Sequence, residues 1–191
     1  FSVPRRTSGN EQEGPTFLCV AHHSVRKGSL DLLEAWARKR AAARLVLVGA
    51  VSPEIAMKFA ELTRRSDVEL VDYSSDLAPF YARADVYIMP SYEEGSPIVV
   101  YFALAAGLPV VGTPASTSGL VEHGVHGLVC EPGDVEGLAA AIDRMALDGD
   151  FRQAARRAAE ERGQEVVWER SVAERIDVFE RIAQDRTHSS G

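Results

Sequence analysis

The feature that most restricts the fold of this chain is a recurrence of short, unbroken apolar runs. Each ends at glycine, proline or a polar pair, and each is followed by a segment of helical spacing. The runs are TFLCVAHH (16–23), RLVLVG (44–49), VELVDY (68–73), VYIMP (86–90), PVVGT (109–113) and GLVCEP (127–132). A strand apolar along its whole length is covered on both faces, as happens where helices cross between parallel strands. The alternation predicts an α/β fold: one Rossmann-like domain built on a doubly wound parallel sheet.

Helices are expected over 29–42, 53–66, 76–84, 134–147, 151–163 and 168–185. Ser29 and Ser52 followed by Pro53 mark two starts, Pro79 interrupts the first turn of the third, and Val172, Ile176, Phe179 and Ala183 form a stripe on the last. The stretch after 113 reads as irregular. Residues 1–14 read as a leading linker, 15–185 as the domain and 186–191 as a frayed tail.

The segment PSYEEGSPIVVYFALAAGLPVVGT (90–113) is the most informative. Ser96 is expected to cap a helix, Pro97 to take its first position, and Gly107 to end it. The residues between, IVVYFALAA, are apolar on every side, which predicts a buried helix. Its positive end then opens beside Glu93 and Glu94.

With 191 residues, 46% hydrophobic and 26% charged, the chain can bury a sizeable core. A net charge of -7 argues against a general affinity for nucleic acid or anionic lipid, although a local site can still attract a small anion. Cys19 and Cys130 lie in apolar runs and read as buried free thiols. No apolar run has the length of a bilayer span, and the opening residues lack the apolar core of a signal peptide. The expected setting is cytoplasmic, and the missing initiator methionine points to a fragment or a processed chain.

Ligands of such sheets bind beyond the carboxyl ends of the strands, where helix amino ends gather. That rule nominates three loops: HHSVRKG (22–28), PSYEEGSP (90–97) and TPASTSG (113–119). The first carries His22, His23, Arg26 and Lys27 ahead of a helix capped by Ser29, a cluster suited to phosphate; the alternative is a solvated basic turn. In the second, Glu94 accepts and the N–H groups of Gly95 and Ser96 donate, as hydroxyl groups require, whereas Glu93 reads as solvated. The alternative for Glu94 is a carboxylate that only complements the helix dipole.

The chain has no Walker-type loop and no G-x-G-x-x-G, so hydride transfer and P-loop hydrolysis lose their main sequence support. His123 and His126 have a metal-like spacing, but no third ligand is near and the flanking glycines read as turns. No metal site is expected. Trp36 and Trp168 read as core or docking residues.

These segments, with RKGSLDLLEAW, LAPFYARADVYIMPS and VEHGVHGLVCEPGDVEGLAAAI in the same order, resemble the carboxy-terminal half of a group-one, retaining GT-B glycosyltransferase. The likeness covers nearly the whole chain. It implies a domain that binds a nucleotide-sugar donor without a divalent metal or other cofactor. It also implies a missing amino-terminal domain, in the same or another chain, that carries most of the site for an unknown acceptor.

By position, the resemblance makes Lys27 the cation for the donor diphosphate and Glu94 the acidic residue near the transferred sugar, the two candidate catalytic residues. It places His22, Gly95, Ser96, Pro97 and Phe102 along the donor, to which the cationic loop adds Arg26 and the helix face adds Ile98. The family's usual arginine is His22 here, its second glutamate is Phe102, and its downstream glycine pair with Pro-Glu is replaced by ASTSGLV. Ile98 and Phe102, four apart, make the face that ordinarily receives ribose apolar. Three readings remain open: a transferase with a rebuilt donor pocket, a catalytically inactive relative that acts by binding or pairing, and another nucleotide-sugar protein such as an epimerase.

Overall fold

A computed structural model describes residues 14–166. The linker expected over 1–13, the helix expected over 168–185 and the tail lie outside the described residues. The strands are β1 (Thr16–Val20), β2 (Arg44–Val48), β3 (Val68–Val71), β4 (Val86–Met89), β5 (Val110–Gly112) and β6 (Gly127–Val129). Among the described residues they form one parallel sheet in the order β3-β2-β1-β4-β5-β6.

The helices are α1 (Ser29–Arg38), α2 (Ala56–Leu62), α3 (Ala78–Arg83), α4 (Ile98–Ala105), α5 (Pro114–Thr117), α6 (Val135–Leu147) and α7 (Gly149–Glu165). Strand alternation sorts the core into two layers. Phe17, Cys19, Leu45, Leu47, Val86, Ile88, Val111 and Leu128 face α1, α2 and α6. Leu18, Val20, Val46, Val48, Tyr87, Met89 and Val110 face α3, α4 and α7. Both layers are apolar and covered by helices, which is why these strands carry no polar face. The exception is β3, where Glu69 and Leu70 are exposed because it is the edge strand.

Several local expectations change. Helix α1 stops at Arg38 rather than 42 and α2 covers only 56–62, because the flanking residues turn off into loops. The stretch after 113 is not wholly irregular: Thr113 and Ser116 form a reciprocal capping box that starts the short α5. Asp134 caps α6 by accepting from the Gly137 N–H. Cys19 is buried, with its thiol pushed up to about 12 by that burial, but Cys130 is only half-buried.

The α4 helix departs most from expectation. Pro97 is its N-cap and not its first residue, Ser96 makes no side-chain cap, and the helix begins at Ile98. Pro97 adopts φ -79 and ψ 69, an inverse γ-turn in which the Ile98 N–H donates to the Ser96 carbonyl at 2.9 Å. Nor is α4 buried all round. Val100, Ala103 and Leu104 are buried, whereas Ile98 and Phe102 are exposed by 45% and 39%, because α4 packs against the sheet and α7 and leaves its remaining face uncovered. It ends as expected: Gly107 has φ 67 and donates to Leu104, while Leu108 donates to Ala103, the double closure that a left-handed glycine permits.

Candidate functional site

In the strand order, β1 and β4 are neighbours whose helices leave to opposite faces, α1 to one core layer and α4 to the other. The chain therefore parts between their carboxyl ends and opens a crevice there. The loops that border it are 21–28 and 90–97.

These two loops are tied closely. The Tyr92 N–H donates to the Arg26 carbonyl at 2.9 Å, and Arg26 Nη1 donates to the Glu93 carbonyl at 3.3 Å. Gly28 has φ 62, and a Cβ there would lie 2.1 Å from the Pro90 carbonyl oxygen, so the backbones touch. Gly28, not Ser29, is the N-cap of α1; the Ser29 hydroxyl lies inward, 3.3 Å from His23 Nδ1. Tyr92 also donates its phenol to Asp31 on α1, which pushes the phenol up to about 12. Neither Asp31 nor Tyr92 was singled out from the sequence. An acidic residue in a first turn and a tyrosine beside a carboxylate are too common to be signals.

The central contact joins the two residues singled out for chemistry. Lys27 Nζ lies 2.5 Å from Glu94 Oε1, with the side chains only 14% and 6% exposed. Glu93 is exposed, as expected, and so are Gly95 and Ser96. A Cβ on Gly95 would meet nothing within 4 Å, so the backbone beside Glu94 borders open space. Arg26 is directed at its neighbouring backbone, not at Glu94.

The third loop joins the same edge. The Thr113 hydroxyl donates to the Ser91 carbonyl at 2.5 Å, which ties the start of α5 to the loop that carries Glu94. His22 pairs through Nε2 with Ser52 Oγ at 2.9 Å, on the side of the crevice toward β2. His23 is fully buried against Phe59, with ring centroids 5.1 Å apart. Its Nε2 has no hydrogen-bond partner among the described residues, and burial followed by the neighbouring His22 lowers its pKa to about 4.

Phe102 lies one turn beyond Ile98 on the exposed face of α4, edge-on to the Tyr81 ring at 6.2 Å. That face of α4 thus offers an aromatic ring and aliphatic carbon. His123 and His126 serve the turn into β6: His126 Nδ1 accepts from the Glu122 N–H, and His123 Nδ1 lies 3.1 Å from the Val129 N and O. Among the described residues, no helix is long and apolar enough to cross a membrane.

The family described as "Glycosyl transferases group 1" matches residues 14–148. An uncharacterized glycosyltransferase of Haemophilus influenzae is 32% identical over 142 residues, 70% of this chain and 40% of that protein. The lipopolysaccharide core biosynthesis glycosyltransferase LpsE of Rhizobium meliloti is 30% identical over 79% of this chain and 45% of its own length. The chain thus spans less than half of these relatives.

Among solved structures, sucrose-phosphate synthase of Thermosynechococcus elongatus superposes with a TM-score of 0.78 at 27% identity, over 91% of this chain and 46% of that one. The C-terminal domain of the Francisella tularensis group 1 glycosyl transferase LpcC matches with a TM-score of 0.71 at 17% identity, over 85% of this chain and 95% of that domain. The chain belongs to the group 1 glycosyltransferase family, and its six-stranded sheet is the carboxy-terminal half of the GT-B fold.

Proposed function

We propose that this domain binds the nucleotide-sugar donor of a cytoplasmic glycosyltransferase, with the diphosphate at Lys27 and the sugar hydroxyls at Glu94. The reading rests on one observation above all: a nearly buried lysine and glutamate from two loops meet at 2.5 Å in the crevice between β1 and β4. Transfer of the sugar leaves a diphosphate on which negative charge grows, and a fixed ammonium stabilises that charge most in the transition state. Glu94 accepts hydrogen bonds from hydroxyls and so orients the ring that reacts.

No divalent metal is needed in this scheme, because Lys27 supplies the positive charge. An amino-terminal half, in this chain or another, supplies the acceptor site, and the present domain alone binds without transferring. UDP-glucose is a sensible first donor, since an Anabaena protein of the same half-fold was solved in complex with it.

Calorimetric titration with UDP-, GDP- and ADP-glucose tests the reading. Saturable binding by one of them is expected, weakened about 100-fold in Lys27→Met by loss of a charge-assisted contact. Absence of binding to the whole panel sinks it.

Phe102 favours a second reading, a relative that binds without catalysis, because an apolar ring stands on the exposed face of α4 where a carboxylate would accept from ribose. Its signature is nucleotide binding that appears only in Phe102→Glu.

A further inference from the structure

Lys27 and Glu94 each have one charged partner among the described residues, and it is the other. A ligand that brings phosphate to Lys27 therefore competes with Glu94 for a single ammonium. If the ammonium turns to a bare diphosphate, the Glu94 carboxylate, 6% exposed, loses its hydrogen-bond donor and gains a dianionic neighbour. A buried carboxylate without a donor is costly, and a phosphate oxygen cannot serve as one.

A diphosphate esterified to a sugar differs in two ways. Its terminal phosphate carries one charge fewer, and its hydroxyls can donate to Glu94 as Lys27 turns away. The open backbone at Gly95 leaves room beside that carboxylate.

Resting on the donor reading above, we propose that the Lys27–Glu94 pair ranks ligands. It opens for a nucleotide that carries a polyol and closes against the same nucleotide without one. The departing diphosphate is then displaced by the carboxylate next to it as soon as the sugar has gone. Product release is built into the contact that binds the substrate.

The experiment compares the natural chain with Glu94→Gln, titrated with UDP, GDP and ADP and with the corresponding glucose nucleotides. For the natural protein the sugar nucleotide binds about 5-fold or more tighter than its diphosphate. In Glu94→Gln the diphosphate binds about 5- to 10-fold tighter than before, because Lys27 is no longer held by a charge, and the sugar nucleotide weakens, so the order reverses. Glu94→Asp, which shortens the reach to Lys27, gives the same reversal at smaller size and serves if the amide variant folds poorly.

Equal affinity of the natural protein for both ligand types, or no tightening of the diphosphate in Glu94→Gln, overturns the ranking while leaving the donor reading intact. If neither protein binds any nucleotide, the donor reading falls and the ranking with it. The pair itself is read separately from the rate at which Lys27 is acylated by an amine-reactive ester. Faster acylation in Glu94→Gln supports the pair, and equal rates overturn it.

Discussion

The sheet's two rims, at the amino ends of its strands (the amino edge) and at their carboxyl ends (the carboxyl edge), each hold a largely buried lysine paired with a carboxylate, and the pairs are built differently. At the amino edge, Lys39 Nζ lies 3.1 Å from Asp67, donates to the Ala41 carbonyl at 3.0 Å and sits 4.6 Å over the Trp36 ring. Asp67 also accepts two bonds from Arg65, at 2.9 and 3.1 Å. Burial alone would raise its pKa, but the bonds from Arg65 and Lys39 override that and hold it below the ordinary carboxylate value.

At the carboxyl edge, Lys27 and Glu94 have no comparable supporting contacts among the described residues. One pair has its hydrogen-bonding capacity nearly filled; the other keeps capacity in reserve. A hollow of about 450 Å³ does open at the amino edge, yet it is lined by Lys39 and Asp67, already committed to one another. The amino edge is not perfectly satisfied either, since Trp36 Nε1 has no partner in the described residues, but an indole N–H is neutral and costs less than a charge.

The largest effect is expected where the carboxyl edge has no slack. Gly28→Ala puts a side chain on a left-handed residue and a Cβ 2.1 Å from the Pro90 carbonyl oxygen, so the loops bearing Lys27 and Glu94 must separate. A loss of about 3 kcal/mol is expected in urea unfolding, together with loss of donor binding. Unchanged binding would mean that the two loops need not touch.

Asp67→Asn separates the edges from the other side. It strips the charge that Lys39 faces and should cost about 2 kcal/mol of stability, with donor affinity unaffected. The natural contribution of Asp67 is complete above the ordinary carboxylate value of 3.8 and is lost as the pH falls through its lower folded value, so natural protein and variant converge in stability only in strong acid. A fall in donor affinity in this variant would break the division between a supporting edge and a binding edge.

At pH 7 the smallest effect concerns His23, the buried imidazole beneath the first loop. Its pKa of about 4 when folded, against 6.5 ordinarily, means that the unfolded chain binds a proton between those values that the folded chain does not. Stability therefore falls as the pH drops through that window, by about 2 kcal/mol at pH 5. His23→Leu should remove that part of the slope and leave the protein equally stable or more stable at pH 7, as urea midpoints at the two pH values will show. An undiminished slope would assign the acid sensitivity to other groups.

The architecture is legible in the order of the amino acids. Two-sided burial leaves its mark in every interior strand as an apolar run, so strand number, parallel pairing and the nominated loops can all be read from the sequence. It also singled out Lys27 and Glu94, because the resemblance in motif order pointed to those positions. Helix ends were less legible: Ser29 and Ser96 are good capping residues by type, but Ser29 is drawn inward to His23 and the turn at Pro97 leaves Ser96 without a cap to make. Composition misread α4 as buried all round, because an apolar residue carries no mark of whether its face meets the sheet.

Folding in three dimensions is what brings Lys27 and Glu94, 67 positions apart, into one contact, sets Tyr92 and Asp31 to brace the same loops, and lets Thr113 secure Ser91. Those pairings follow from the strand order, which brings β1, β4 and β5 side by side, and adjacency across a sheet is set by the packing of all the helices at once.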